Sequence, residues 1–285
     1  MVETKEFIWL TNDLVFKHVF SHEELTKDFL NAYLKFVGSD LEVLKVEVTP
    51  QMYIQNDNIK LHDYYLDICV VLSNKEIVNL EMYTNFGLTE CKKSLTYASM
   101  LYSHQLKKNE SYGNAKKVTS LNIMSGNYDG VNYEFLNKYE LCYNKNHKAL
   151  LEDGLELLLL RLDIFDKKEY SLDKSRCVKW LKFMNCKSYE EAEKLAKGDK
   201  ILMSTIEIVK SFVSDPEVIS LFDRDKLKEE SAELRGKTIG IAEGKTIGIA
   251  QEKASVARKM LKAKMNFKSI SEMTGLSISE IKKLA

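Results

Sequence analysis

The chain has 285 residues, 45% hydrophobic and 29% charged, and its 42 basic side chains balance 42 acidic ones. This size and composition exclude a stapled miniprotein or a long disordered tail, and the zero net charge excludes attachment to nucleic acid or membrane by bulk charge. Five widely spaced cysteines contain no CxxC pair, the first ten residues lack the apolar core of a signal peptide, and no apolar run reaches membrane-spanning length. We therefore expect a reduced, cytoplasmic protein without disulfides, thiolate zinc sites or membrane spans.

In chain order, Thr11 and Asn12 can cap a short helix over residues 13–20. Ser21 with Glu24 has capping-box spacing for a second helix, whose face is Leu25, Phe29, Ala32, Tyr33 and Phe36 and whose end is Gly38. Residues 44–48 alternate, with Leu44, Val46 and Val48 on one face, as a half-buried strand does. Residues 64–71 read as a central strand covered on both faces and interrupted by Asp67; a turn at 73–75 leads to a second strand over 76–83. A helix over 89–106 with a stripe of Cys91, Leu95, Ala98, Tyr102 and Leu106 follows, then buried strands at 118–124 and 155–164. The elements predict an α+β core with a mixed sheet, residues 1–166.

Residues 167–235 are helical in period, anchored by Trp180, Phe183, Ile206, Val209 and Phe222. Residues 236–242 and 244–250 repeat Gly-Lys-Thr-Ile-Gly-Ile-Ala, placing glycine at 236, 240, 244 and 248. Each glycine costs a helix about 1 kcal/mol relative to alanine, so 236–251 is a linker, a weak helix, or a smooth stripe for a second backbone. Residues 252–285 hold eight Lys or Arg against three Glu and show three short helical signals. A turn at 274–276 and a capping box of Ser277 with Glu280 give them a helix-turn-helix pattern. This module either reads DNA, with Lys282 and Lys283 on phosphates, or packs on a partner copy as a homo-oligomer.

The strongest chemical signal is Asp67 with Glu81. A carboxylate in a buried strand costs several kcal/mol unless its charge is compensated, and a divalent cation neutralises two at once. Opposed side chains on antiparallel strands lie about 4.5–5.5 Å apart at Cβ, so residues 67 and 81 meet if the hairpin centres on Asn74; a two-residue loop would put them on opposite faces. The alternative is Asp67 at a sheet end and Glu81 in solvent. His18 and His22 have zinc spacing, but Ser21 interrupts the helix and no third ligand is near. No nucleophile elbow, P-loop or dinucleotide fingerprint occurs.

The segments Thr11–Phe20, Leu66-Asp67-Ile68, Val78-Asn79-Leu80-Glu81-Met82, Lys93-Ser94-Leu95-Thr96-Tyr97, Trp180–Phe183, the glycine repeat and Ile270–Ser277 follow one another in this order. Together they resemble the PD-(D/E)XK nuclease family transposases, akin to the Rpn recombination-promoting nucleases, over nearly the whole chain. The resemblance implies a restriction-endonuclease-like mixed sheet flanked by helices, followed by a helical C-terminal region. It further implies Mg²⁺, with Mn²⁺ as substitute, held by Asp67 and Glu81 for DNA phosphodiester cleavage in recombination or transposition. Tyr83 occupies the motif position where the family carries Gln or Lys, and Leu66 stands where it carries Pro. Lys93 is the residue placed to supply the missing cation, and Lys17, Lys282 and Lys283 are expected on DNA phosphates. The competing expectation is a catalytically inactive DNA-binding or self-associating protein that keeps the nuclease fold. No membrane partner is expected.

Overall fold

The computed structural model describes residues 7–47, 68–126, 134–143, 145–150, 154–165 and 173–284. These fall into two units, Met1–Asp215 and Pro216–Ala285.

The first unit opens with α1 (Asp13–Phe20) and α2 (Glu23–Phe36). Asn12 caps α1, its side-chain oxygen accepting from the Leu14 and Val15 N–H groups. The Ser21–Glu24 capping box does not form. Ser21 ends α1 and donates its hydroxyl to the His18 carbonyl, while His22 precedes α2 without a side-chain cap. Gly38 terminates α2 at a positive φ of 77°.

Among the described residues, β1 (Val43–Glu47), β2 (Ile68–Leu72), β3 (Ile77–Tyr83), β4 (Val118–Met124), β5 (Leu136–Glu140) and β8 (Leu155–Arg161) form one mixed sheet. Its order is β1-β2-β3-β4-β8-β5; β3, β4 and β8 are mutually parallel and the other neighbours antiparallel. β6 (Cys142–Tyr143) and β7 (Asn146–Leu150) make a separate two-stranded ladder. In β1 the expected facing of Leu44 is reversed. A register shift between Val43 and Lys45 moves Val43 inward and leaves Leu44 60% exposed.

Helix α3 (Leu88–Ser103) covers one sheet face. Its buried stripe is Ser94, Tyr97, Ala98, Met100 and Leu101; Cys91 and Leu95, expected inward, are exposed, and Tyr112 lies beyond the helix at 90% exposure. Over the opposite face, Leu30, Tyr33 and Leu34 of α2 share a cavity wall with Val78, Thr119 and Leu158. The sheet is thus sandwiched between helices, a restriction-endonuclease-like arrangement.

Helices α4 (Arg176–Met184), α5 (Tyr189–Ala196) and α6 (Lys200–Phe212) complete the unit. Trp180 and Phe183 are fully buried, and the Trp9 indole donates to the Phe183 carbonyl at 2.8 Å. Arg176 ties three helices together: its guanidinium bonds Asp28 on α2 and Asp199, whose carboxylate also caps α6. Asp28 also accepts from the Trp180 indole at 2.6 Å.

In the second unit α7 runs unbroken from Pro216 to Lys262, through the whole glycine repeat. Proline at its first position starts a helix without losing a hydrogen bond. Side chains built at Gly236, Gly240, Gly244 or Gly248 would meet nothing within 4 Å, so no backbone packs on the glycine stripe among the described residues. The C-terminal turns of α7 join α8 (Phe267–Thr274) and α9 (Ile278–Leu284) around Ala257, Ile270 and Ile281, all fully buried. Gly275 closes α8 at φ 69°, and the Ser277–Glu280 capping box starts α9, with the Ser277 N–H donating to Glu280 at 2.8 Å. No helix among the described residues is long and apolar enough to cross a membrane.

Candidate nuclease site

Strand β3 is buried along its length, and its period of two sends Asn79, Glu81 and Tyr83 to the face under α3. The antiparallel ladder with β2 pairs Ile68 with Leu80 and Val70 with Val78, a register centred on Asn74. The ladder's last described rung is Ile68–Leu80, and Asp67 lies outside the described residues.

Glu81 is only 1% exposed, so its charge must be compensated by protein groups or by a ligand. Three donors converge on it. Asn79 Nδ2 gives a hydrogen bond to Oε1 at 3.1 Å, and the Tyr83 hydroxyl and Lys93 Nζ reach Oε2 at 2.7 and 3.2 Å. Lys93 comes from the second turn of α3, where its ammonium sits 5.1 Å from the ring centroids of both Tyr83 and Tyr97. Two contacts fix that turn. Glu90 accepts the Gly87 N–H at the helix start, and the Ser94 and Ser120 hydroxyls meet at 2.9 Å between α3 and β4. Tyr83 and Lys93 thus join Glu81 in one cluster.

Sequence reasoning missed two members of this face, Asn79 and Asn122. Both are buried, at 0% and 1% exposure, and the parallel register sets Asn122 beside Glu81. The carbonyl oxygen of each amide has no hydrogen-bond partner among the described residues. The available signal was a polar residue in mid-strand, Val78-Asn79-Leu80 and Leu121-Asn122-Ile123, the same anomaly that singles out Asp67.

The Glu81 carboxylate and the orphaned Asn79 oxygen are hard oxygen donors on one strand face, the kind a divalent cation such as Mg²⁺ takes. In kind the residues fit such an ion; no cluster of three His, Cys, Asp or Glu occurs among the described residues. Lys93 already offsets part of the Glu81 charge.

Of the basic residues expected on DNA, Lys17 pairs with Asp13 one helical turn away at 2.8 Å. Lys282 and Lys283 are exposed on α9 in the second unit.

Comparison with known proteins matches residues 10–233 to the PD-(D/E)XK nuclease family transposases. Residues 250–285 match the C-terminal HTH domain of the Rpn/YhgA-like nuclease family. No curated protein and no solved structure matches the chain. The sandwiched sheet, the buried Glu81 of β3 and the first match, which spans well over half the sequence, agree: the chain belongs to the PD-(D/E)XK nuclease family transposases.

Proposed function

We propose that the chain is a Mg²⁺-dependent DNA endonuclease that cleaves phosphodiester bonds during recombination or transposition. Family membership supports the nuclease role. The observation that carries the reading is the fully buried Glu81 with an ammonium 3.2 Å away. A neutral side chain would fill that position at less cost, so a retained charge points to use.

In this reading Asp67 and Glu81 hold the cation, with Asn79 Oδ1 available beside them. When bound, such an ion polarises the scissile phosphate and acidifies a bound water. Lys93 lends positive charge where negative charge grows on the phosphate oxygens, the part otherwise played by the motif's Lys. Tyr83 orients the Glu81 carboxylate through its hydroxyl and cannot supply charge. The basic HTH unit grips DNA phosphates through Lys282 and Lys283, and Lys17 does so beside the core.

Supercoiled plasmid incubated with Mg²⁺, or with Mn²⁺ in its place, tests this. Nicking by the native chain that disappears in Glu81→Gln and Asp67→Asn is the expected result; nicking that survives both substitutions overturns it. Removing charge at Lys282 and Lys283 should weaken a gel shift and reduce its salt slope by about one to two.

One observation favours a second reading, a catalytically inactive DNA-binding protein: Glu81 is already held by three protein donors, and one of them is the phenol that replaces Gln or Lys. Tyr83→Lys separates the two. A crippled nuclease gains cleavage, whereas a silent binder gains none and shifts DNA as before.

A further inference from the structure

On the α3 face, beyond β4, a cavity of about 530 Å³ opens between the start of α3 and strands β5 and β8. Its walls are apolar: Phe86, Leu88 and Leu95 on one side, Tyr139, Leu157 and Leu159 on the other. Leu88, Leu95 and Tyr139 are substantially exposed at its mouth. In this volume range a cavity takes a drug-sized molecule.

Asn122 lines it as well, and unlike Tyr139 and Cys91, which are exposed, it is fully buried. Its orientation is determined, because Nδ2 donates to the carbonyls of Ser120 at 3.1 Å and Leu158 at 3.0 Å, which an oxygen could not do. Oδ1 is therefore turned away from both carbonyls and has no donor among the described residues. A buried acceptor without a donor is costly, and a ligand N–H or O–H relieves that cost. No charged side chain faces the cavity among the described residues. Glu140 contributes to the wall, but its register position is on the opposite sheet face, where Lys138 Nζ lies 2.8 Å from its carboxylate. An anion entering here would lose its hydration without gaining a counter-charge.

We propose that this cavity is a binding site for an uncharged, largely apolar small molecule carrying one hydrogen-bond donor, and that Asn122 Oδ1 receives that donor. The proposal does not rest on the nuclease reading: neither Glu81 nor Lys93 lines the cavity, and Asn122, although beside Glu81 on the same face, is given no part in cation binding.

N-phenyl-1-naphthylamine, an uncharged fluorophore with a single N–H, is the probe. Saturable one-to-one binding to the full chain is expected. The ether of the same shape, 1-phenoxynaphthalene, should displace it about tenfold less well, because its oxygen faces Oδ1 without a proton. In Asn122→Leu that preference should vanish, with folding checked by circular dichroism. The anionic analogue 1-anilinonaphthalene-8-sulfonate should compete several-fold more weakly than the neutral amine. A second measurement needs no variant: Cys91 is exposed and lines the cavity, so saturating probe should slow its alkylation by N-ethylmaleimide, read by mass spectrometry. Absence of saturable binding, equal affinity for amine and ether, a preference that persists in Asn122→Leu, equal competition by the sulfonate, or unprotected Cys91 would each overturn the proposal.

Discussion

The two faces of the six-stranded sheet are made by the same strands, yet they differ in kind. Toward α1 and α2, Ile68, Val70, Leu80, Met82, Leu121, Ile123, Leu158 and Leu160 are apolar and buried. Toward α3, the alternate residues include Asn79, Glu81, Ser120, Asn122 and Asn137, also buried, with the amide oxygens of Asn79, Asn122 and Asn137 unpartnered among the described residues. Hydrophobic burial stabilises both layers, but the second also carries the cost of buried amide oxygens without donors. The contrast teaches where selection acts. Toward α2 the buried Glu156 is paired with Lys117 and Lys138 near the start of its strand, whereas toward α3 amide oxygens stay unpaired in mid-strand among the described residues, which marks that face as the working one.

The largest expected effect comes from moving the polarity across. Leu121 is fully buried on the apolar face, next in sequence to Asn122. Leu121→Asn deletes apolar burial and strands an amide, a loss of roughly 3–5 kcal/mol. Both tryptophans, Trp9 and Trp180, lie in the first unit, so their fluorescence in urea reads its unfolding directly. The reverse exchange, Asn122→Leu, should leave the midpoint within about 1 kcal/mol of native or raise it. If Leu121→Asn proves as mild as Asn122→Leu, the two faces are not energetically distinct and the comparison fails.

A smaller effect sharpens the electrostatics within the polar face. Lys93→Met removes the cation from a carboxylate that stays buried, and breaking such a pair is costly. Because the lysine side chain is 39% exposed, solvent screening reduces the cost to about 1–2 kcal/mol. Adding Glu81→Gln to Lys93→Met should restore most of that stability, since no uncompensated charge remains. A double variant no more stable than Lys93→Met alone would mean the loss came from the lysine's packing against Tyr83 and Tyr97.

Much of this architecture is legible in the sequence, and the parts that are not fail for physical reasons. The hairpin register follows from β-branched runs about a turn centred on Asn74, and the buried strand at 118–124 from Val118, Leu121, Ile123 and Met124. The facing of Leu44 was misread because one bulge inverts the parity of a strand, and alternation alone does not announce a bulge. β5 went unread because Leu-Asn-Lys-Tyr-Glu, with a single aliphatic residue, carries an edge strand's weak pattern. The Ser21 capping box failed because a hydroxyl between two helices can serve the carbonyl end of the first as well as the amide end of the second. At the site, Glu81, Tyr83 and Lys93 stand out in the sequence, whereas Asn79 and Asn122 show only as polar residues in mid-strand. Their oxygens have no partner among the described residues, which the packed neighbours reveal. The glycine repeat read as linker or helix, and its position within one long helix is decided beyond the propensity of single residues.

The smallest predicted effect concerns the helices over the apolar face, whose charge is confined to a partly exposed rim. Asp199 joins α6 to α4 there. Burial raises its carboxyl pKa, but hydrogen bonds from Arg176, Lys179 and the Leu202 N–H outweigh burial and bring it down to about 2. The unfolded value is about 3.9, so the folded state binds the proton less readily. The resulting stability is therefore fully present above about pH 4 and is lost as pH falls toward 2. The shift corresponds to roughly 1–2 kcal/mol after allowance for the exposed basic partners. Asp199→Asn should lower stability at pH 6 and flatten the decline of the tryptophan-detected midpoint between pH 4 and 2. Glu81→Gln should leave the Asp199 part of that decline in place, since the two carboxylates share no partner among their hydrogen bonds. If Asp199→Asn keeps the native slope, the acid sensitivity resides elsewhere, and the rim of the apolar layer is as electrostatically silent as its centre.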